Sequence, residues 1–363
     1  MESTNDGKVE VIDISNEEIG VNDENDSEDD EFFEEEIEIV DEAIAVFNGH
    51  SNAVLCCALS NDSQIGVSGG QDDTAFVFNK QMELLFECKG HSDSVISVGF
   101  NASNKQIATA DMKGLVQMEY DFGEDLLWML WHPVVDDVIL VGMASGSSML
   151  LKTTSGGAAS VCGKFFRDGK RAVVGYDDGC VRLWDLRDQK VIVSDTAHKH
   201  TITALHINKD ETLVATASVD GTAKLFNISA AKTIASFDCS SANDSDESDS
   251  VESVCFCDSL PLLATGTTAG SVDIWDISTH KKRNACAVDV GVSKLVYDRN
   301  NCHLLYASGL DGVMRIYDSR SGKLEIEKNG HSQEILDFCV AGDSSCLLTA
   351  SEDHTCRLFA LNC

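Results

Sequence analysis

Histidine and aspartate recur at matched spacing along this chain of 363 residues: His50, His198 and His331 are each followed, twenty-two residues on, by Asp72, Asp220 and Asp353. A histidine held by a carboxylate is the core of general-base catalysis. A pair that recurs along one chain is better read as scaffold, in which buried groups satisfy one another.

Other stretches with chemical potential fail on spacing. "GKFFRDGKR" resembles a phosphate loop, but five residues separate Gly163 from Gly169 where four are needed, and Arg171 stands where Ser or Thr belongs. It reads as a strand, turn and strand. "DSDESDS" from Asp244 opens like a calcium loop, yet Asp249 replaces the required Gly and Cys255 the closing Glu. Cys302-His303 and His354-x-Cys356 are isolated pairs without two further ligands for zinc. No G-x-S-x-G, H-E-x-x-H or dinucleotide fingerprint occurs. The expectation is a protein that is not an enzyme and takes no cofactor or metal.

Any such site must be carried by a large folded core. A chain of this length with 43% apolar residues can bury roughly three quarters of its unfolded surface. Its formal net charge is -34, of which residues 1–42 carry -18 and the rest -16. A polyanion repels nucleic acid and anionic lipid and attracts basic partners. No apolar run is long enough to span a bilayer, and the N-terminus has no secretory pattern; a cytoplasmic location is expected. The fourteen Cys include no C-x-x-C and lie in strand-like runs such as "VLCCALS" and "VCFCD", as small buried hydrophobes of a reducing compartment do.

The organising feature is a repeat. "GHSNAVLCCALSNDSQIGVSGGQDDTAFVFN" from Gly49 returns from Gly90, Ala197 and Gly330, and four weaker copies lie between, making eight units. Their closing dipeptides, from 78-79 to 359-360, recur with a mean period of about 40 residues, the range of WD40 propeller blades. Short runs rich in Val, Ile, Leu, Ala and Thr between Gly, Asn, Asp and Ser turns fit four-stranded blades. The reading is an all-β fold: an eight-bladed WD40 β-propeller over residues 37–363, with an acidic disordered tail over 1–36 and an acidic loop insertion at 238–252. The final run "LFALNC" lacks the outermost strand of its blade; "EAIAVFNGH", residues 42–50, is expected to supply it and close the ring.

In this repeat the turn aspartate bonds the His of GH, which reaches a Ser or Thr and the Trp of WD. The Asp is present as Asp72, Asp178, Asp220, Asp311 and Asp353, and is replaced by Lys113, Ser145 and Ala269. His50, His91, His198 and His331 are present, but no unit has the full set: Trp184 and Trp275 lack the His, and the set His198, Ser218, Asp220 ends in Phe226. Trp128 and Trp131 read as core. "HKKR", His280 to Arg283, reads as a solvated hairpin on the broad face. Acidic side chains of the narrow-face turns, Asp73, Asp111, Asp177, Asp178, Asp220, Asp311, Glu352 and Asp353, are the expected contacts for a basic protein. Asp73, Asp177 and Glu352, each beside a turn Asp, are favoured. Ser27 and Ser241 fit an acidophilic kinase, which would deepen the charge.

"GHSDSV", "DLLWMLWHP", "GKRAVVGYDDG", "SVESVCFC" and "GHSQEILDF" resemble the angio-associated migratory cell protein family across nearly all of 37–363. That resemblance implies an eight-bladed propeller and includes the fungal chaperone of a basic large-subunit ribosomal protein, held on an acidic propeller face. Animal members are associated with migration, angiogenesis and signalling. Heparin binding through a basic N-terminal stretch does not carry over, since Lys8 is the only basic residue before Lys80. The expected function is therefore a monomeric, non-catalytic module that shields a ribosomal protein. The alternatives are a signalling scaffold and, from "WDLR" at Trp184–Arg187 and "YDSR" at Tyr317–Arg320, a substrate receptor of a ubiquitin ligase.

Overall fold

The computed structural model describes residues 40–361, except 117–119, 122–124, 136–138, 145–147, 150–151, 154–157, 189, 241–248 and 289. The acidic tail, Ser27, Ser145, Ser241 and most of the acidic insertion lie outside the described residues.

Thirty-two strands form eight four-stranded antiparallel sheets. In seven of them the strand order is sequential, because hairpins of two to six turn residues join neighbours and leave no length for a crossover. The first blade runs Val54–Leu59, Ile65–Gly70, Ala75–Asn79 and Leu84–Cys88. In the eighth, Ile335–Val340, Cys346–Ser351 and Cys356–Ala360 are completed by Ala45–Phe47, with Ala45 opposite Leu358 and Phe47 opposite Cys356. The closure expected from the sequence is thus present. Phe47 secures it by stacking on Phe78 of blade one at 4.7 Å.

The first strand of each blade packs on the first strand of the next, and the eighth returns to the first, so the sheets form a ring. The core is correspondingly divided into eight apolar clusters, one in each blade-to-blade interface. Each inner strand begins with a fully buried residue followed by a bulge, which re-aims the side chains after it toward the neighbouring blade. Thirteen described cysteines are free and nine of them are buried in these layers.

The irregular blades are the second and third. Their outer two strands are only two residues long, Leu115–Val116 with Tyr120–Asp121 and Ser148–Met149 with Lys152–Thr153. The dipeptides at 119-120 and 151-152 therefore do not close third strands; Tyr120 and Lys152 lie on the fourth. In complete blades the closing Asp or Asn accepts N–H groups of the next turn, as Asp276 does from Ser278 and Thr279 and Asn79 from Gln81. Tyr120 and Lys152 have no such carboxylate or amide to fix the turn. Blade four, by contrast, has four full strands.

Trp128 is buried on the inner strand of blade three, and the Trp131 indole donates to the Gly99 carbonyl. The "HKKR" cluster is not a free hairpin. Lys281–Arg283 begin the outer strand of blade six, and Lys282 lies 2.6 Å from the buried Asp273 carboxylate and over the Trp275 ring.

Candidate protein-binding face

Because each sheet is antiparallel, all turns between second and third strands lie at one end of the ring, beside the loops that lead into the first strands. Four histidines tie these loops to the turns. Each Nδ1 faces a carboxylate: His50 to Asp72 at 3.0 Å, His91 to Asp111 at 3.2 Å, His198 to Asp220 at 3.2 Å and His331 to Asp353 at 2.8 Å. Each Nε2 faces a hydroxyl, of Ser68, Thr109, Thr216 or Thr349, at 2.6–2.8 Å. The same carboxylates accept the N–H of the residue after the histidine, Ser51, Ser92, Lys199 or Ser332.

Two partners differ from the sequence reading. The hydroxyl that meets His198 is Thr216, one strand pleat further in than Ser218, which instead donates to the His200 carbonyl. In blade two, where Lys113 replaces the turn Asp, the carboxylate is supplied by Asp111 at the end of the second strand. Lys113 turns outward to the Ser92 carbonyl and Asp93.

Burial holds all four histidines below their ordinary pKa, against the pull of the aspartates. Burial alone would raise the Asp220 carboxyl, but the Thr222 hydroxyl, the Lys199 N–H and His198 outweigh it and bring it to about 2. His331 and Thr355 likewise hold Asp353 well below the carboxylate range despite burial. The pairs are therefore neutral imidazole and ionised carboxylate, with every ring nitrogen engaged.

This accounting sorts the eight expected contact residues. Asp111, fully buried, and Asp220 and Asp353, nearly so, are fastened in the networks and are corrected from contact to scaffold. Asp178 lies 3.6 Å from Arg182, and Asp311 holds Arg315 through both oxygens. Those blades lack the histidine, and the arginine takes the carboxylate instead. Asp73, Asp177 and Glu352 remain: all exposed, their carboxylates without a hydrogen bond or ion pair among the described residues. Asp73 sits at φ 57°, where five other turns have Gly with φ of 75–90°, and His354 takes the same place in blade eight.

Asp177 and Glu352 occupy the first turn position, whose backbone N–H donates to the residue before the next inner strand, Ala159 and Glu334 respectively. The same position carries Met112 and Val219, exposed and apolar. A search for charge alone missed these two. The signal was present in their place immediately before the turn Asp or its replacement. The face is thus acidic with apolar members, suited to a chain of basic and apolar side chains. Among the described residues, no group of three or more His, Cys, Asp or Glu could hold a metal ion, and no helix is long and apolar enough to cross a membrane.

Comparison with known proteins agrees with this geometry. WD domain, G-beta repeat models match residues 41–79, 82–118 and 149–185, and the model of the nucleolar protein 10-like N-terminal domain matches 193–360. The human angio-associated migratory cell protein is 36% identical over 351 residues, 88% of this chain and 80% of that one. The ribosome assembly protein SQT1 of Saccharomyces cerevisiae is 22% identical, with 84% of this chain and 81% of that one covered. Among solved structures, Chaetomium thermophilum Sqt1 bound to the N-terminus of ribosomal protein L10 superposes with a TM-score of 0.77 at 20% identity, over 89% of this chain and 100% of that one. With more than a third of its residues shared across most of both chains, this WD40 propeller belongs to the angio-associated migratory cell protein family.

Proposed function

We propose that this protein is a non-catalytic chaperone that holds a basic large-subunit ribosomal protein on the turn face until assembly. The observation that carries the reading is the set of three unengaged carboxylates, Asp73, Asp177 and Glu352, at one end of a ring whose chain carries -34. The Sqt1 relative, solved with the N-terminus of ribosomal protein L10, supplies the chemistry of the client. Charge attracts such a client and excludes RNA from the same face. Catalysis has no support here, since the histidines that could serve as bases are buried with both nitrogens bonded. The closed ring, with no described inner edge left unpaired, is suited to act as a monomer in the cytoplasm.

The test is the affinity of the full chain for the N-terminal segment of ribosomal protein L10, with and without Asp73→Asn, Asp177→Asn and Glu352→Gln together. Asn suits the positive φ at 73 better than Lys would. Partly exposed charge pairs contribute roughly 0.5–1 kcal/mol each, so the triple variant should bind about tenfold to a hundredfold more weakly, with a shallower salt dependence. Unchanged affinity at unchanged melting temperature would remove this face from the proposal. A signalling scaffold is the second reading, favoured by the name of the human relative; it expects partners whose capture is indifferent to salt. The ubiquitin-ligase reading is weaker, because Arg320 is held by both oxygens of Asp318.

A further inference from the structure

The opposite end of the ring has the opposite charge. Inner-strand residues four and two places before their first turns point toward the axis. In blades four, five, seven and eight these include Lys164, His206, Lys294 and Asp337. Lys164 of blade four is solvent-accessible, yet it feels Lys294 and Arg299 of blade seven and Asp337 of blade eight, three and four blades around the ring. A side chain can sense those residues only by reaching across the channel that the eight inner strands enclose.

The only carboxylate in this group is already engaged. One Asp337 oxygen accepts from Lys294 Nζ at 2.6 Å and the other from the Cys57 N–H at 3.0 Å. Lys164 Nζ has no hydrogen bond or ion pair among the described residues, nor does the Arg299 guanidinium, exposed on the turn after the blade-seven inner strand. His206 accepts the Phe256 N–H at Nδ1, 3.2 Å away, which leaves Nε2–H as a neutral donor into the channel. Burial first, then Lys294 and Arg299, depress the Lys164 pKa. Arg167 and Lys209 stand exposed on the corresponding turns of blades four and five.

An enclosed cation among like charges costs stability unless an anion answers it, and in a chain with 61 acidic residues against 27 basic ones no carboxylate has been placed there. We propose that this end of the channel is a binding site for a small multivalent anion bearing phosphate groups, held by Lys164, Arg299 and the His206 Nε2–H. Lys164 and Arg299 are the two unanswered positive charges, which match a dianionic phosphate group. The Arg299 fork suits its oxygens, and Lys164 acts as a point charge. The site is independent of the turn face, which lies at the other end of the strands.

The test is calorimetric titration of the full chain with inorganic pyrophosphate at low salt, matched against sodium chloride of equal ionic strength. Lys164→Met keeps the apolar stem, and Arg299→Gln changes only an exposed tip, so both variants should fold; their melting temperatures are measured beside the wild type. Saturable pyrophosphate binding, weakened at least tenfold by Lys164→Met and at least threefold by Arg299→Gln, with a thermal shift that Lys164→Met abolishes, is the expected result. No saturable binding, or equal binding by both variants, would overturn the proposal. So would capture of a polyglutamate peptide but not pyrophosphate, which would make the channel a protein-binding site. Retention of L10-segment binding by Lys164→Met separates failure here from failure of the chaperone reading.

Discussion

Trp184 offers a direct measure of how this repeat uses its hydrogen bonds. Its indole nitrogen is buried in blade four and has no partner among the described residues. In blade six the equivalent Trp275 donates to the Thr265 hydroxyl at 2.9 Å. The position that Thr265 fills, opposite Asp273 in the ladder, is filled in blade four by Val174, opposite Arg182. Val174→Thr is nearly isosteric and would place a hydroxyl oxygen where the indole N–H points. Its own proton has an acceptor too: Thr349 and Thr216 each donate to the carbonyl of the residue opposite, at 3.2 and 3.5 Å, and in blade four that is Arg182. An unsatisfied buried donor costs about 1–3 kcal/mol, and an unpartnered buried hydroxyl a similar amount. With both new bonds made, the first cost is relieved and the second avoided. The expected net gain is about 1 kcal/mol, or ~2 °C in a domain of this size. Urea unfolding of Val174→Thr, Trp184→Phe and the double variant closes the cycle: the gain should vanish when the indole is absent. A loss of stability from Val174→Thr in both backgrounds would refute the reasoning, since the hydroxyl would then have found no partner.

Two further outcomes test the division between scaffold and surface. Asp353→Ala strips the acceptor from His331, Ser332 and Thr355 at once and should cost about 2–4 kcal/mol in urea unfolding, whereas Asp73→Asn should stay within about 0.5 kcal/mol; equal effects would contradict the assignment. Stability should also fall between pH 7.5 and 5.5, a window in which carboxylates scarcely titrate. His206, lowered by burial and by Lys164 to about 3, stays neutral when folded and gains a proton near 6.5 when unfolded, so the unfolded chain binds more protons and stability is lost as pH falls below 6.5. His206 alone should remove about 1.4 kcal/mol by pH 5.5, and the four lowered scaffold histidines act in the same direction; an unchanged urea midpoint across that window would mean that these groups are not held neutral.

Blade number and ring closure were legible because they are periodic and topological: eight copies of about 40 residues, and one strand missing at one end and present at the other. What escaped was local substitution within the pattern. Asp111 looks like a strand residue, yet it replaces the turn carboxylate because a histidine can be reached equally from two residues earlier in the chain. The short steps in the period pointed to blades three and four, but each step between closing dipeptides includes the outer strand of the preceding blade. The missing length therefore belongs to the outer hairpins of blades two and three. Lys282 read as solvated because no spacing rule marks Asp273, a buried carboxylate on the neighbouring strand.

The turn frame explains how so rigid a ring can carry a recognition surface at all. In the seven blades whose second turn is described, the first turn residue donates its N–H to the same place in the adjoining loop: Gln71, Met112, Asp177, Val219, Thr268, Leu310 and Glu352. Only the backbone is used, so the side chain is unconstrained by the fold, and seven residues of six types occupy one geometry. One or two residues away, a buried aspartate or its substitute fixes the turn through several bonds. Each exposed side chain is thereby held on a backbone that loses little freedom on binding, which lowers the entropic cost of association. A partner is selected by changing residues such as Asp177 and Glu352, and the ring is kept by leaving Asp353 and its neighbours alone. Adjacent carboxylates in one turn can therefore differ so widely in role, and total negative charge identifies the partner class without identifying the contacts.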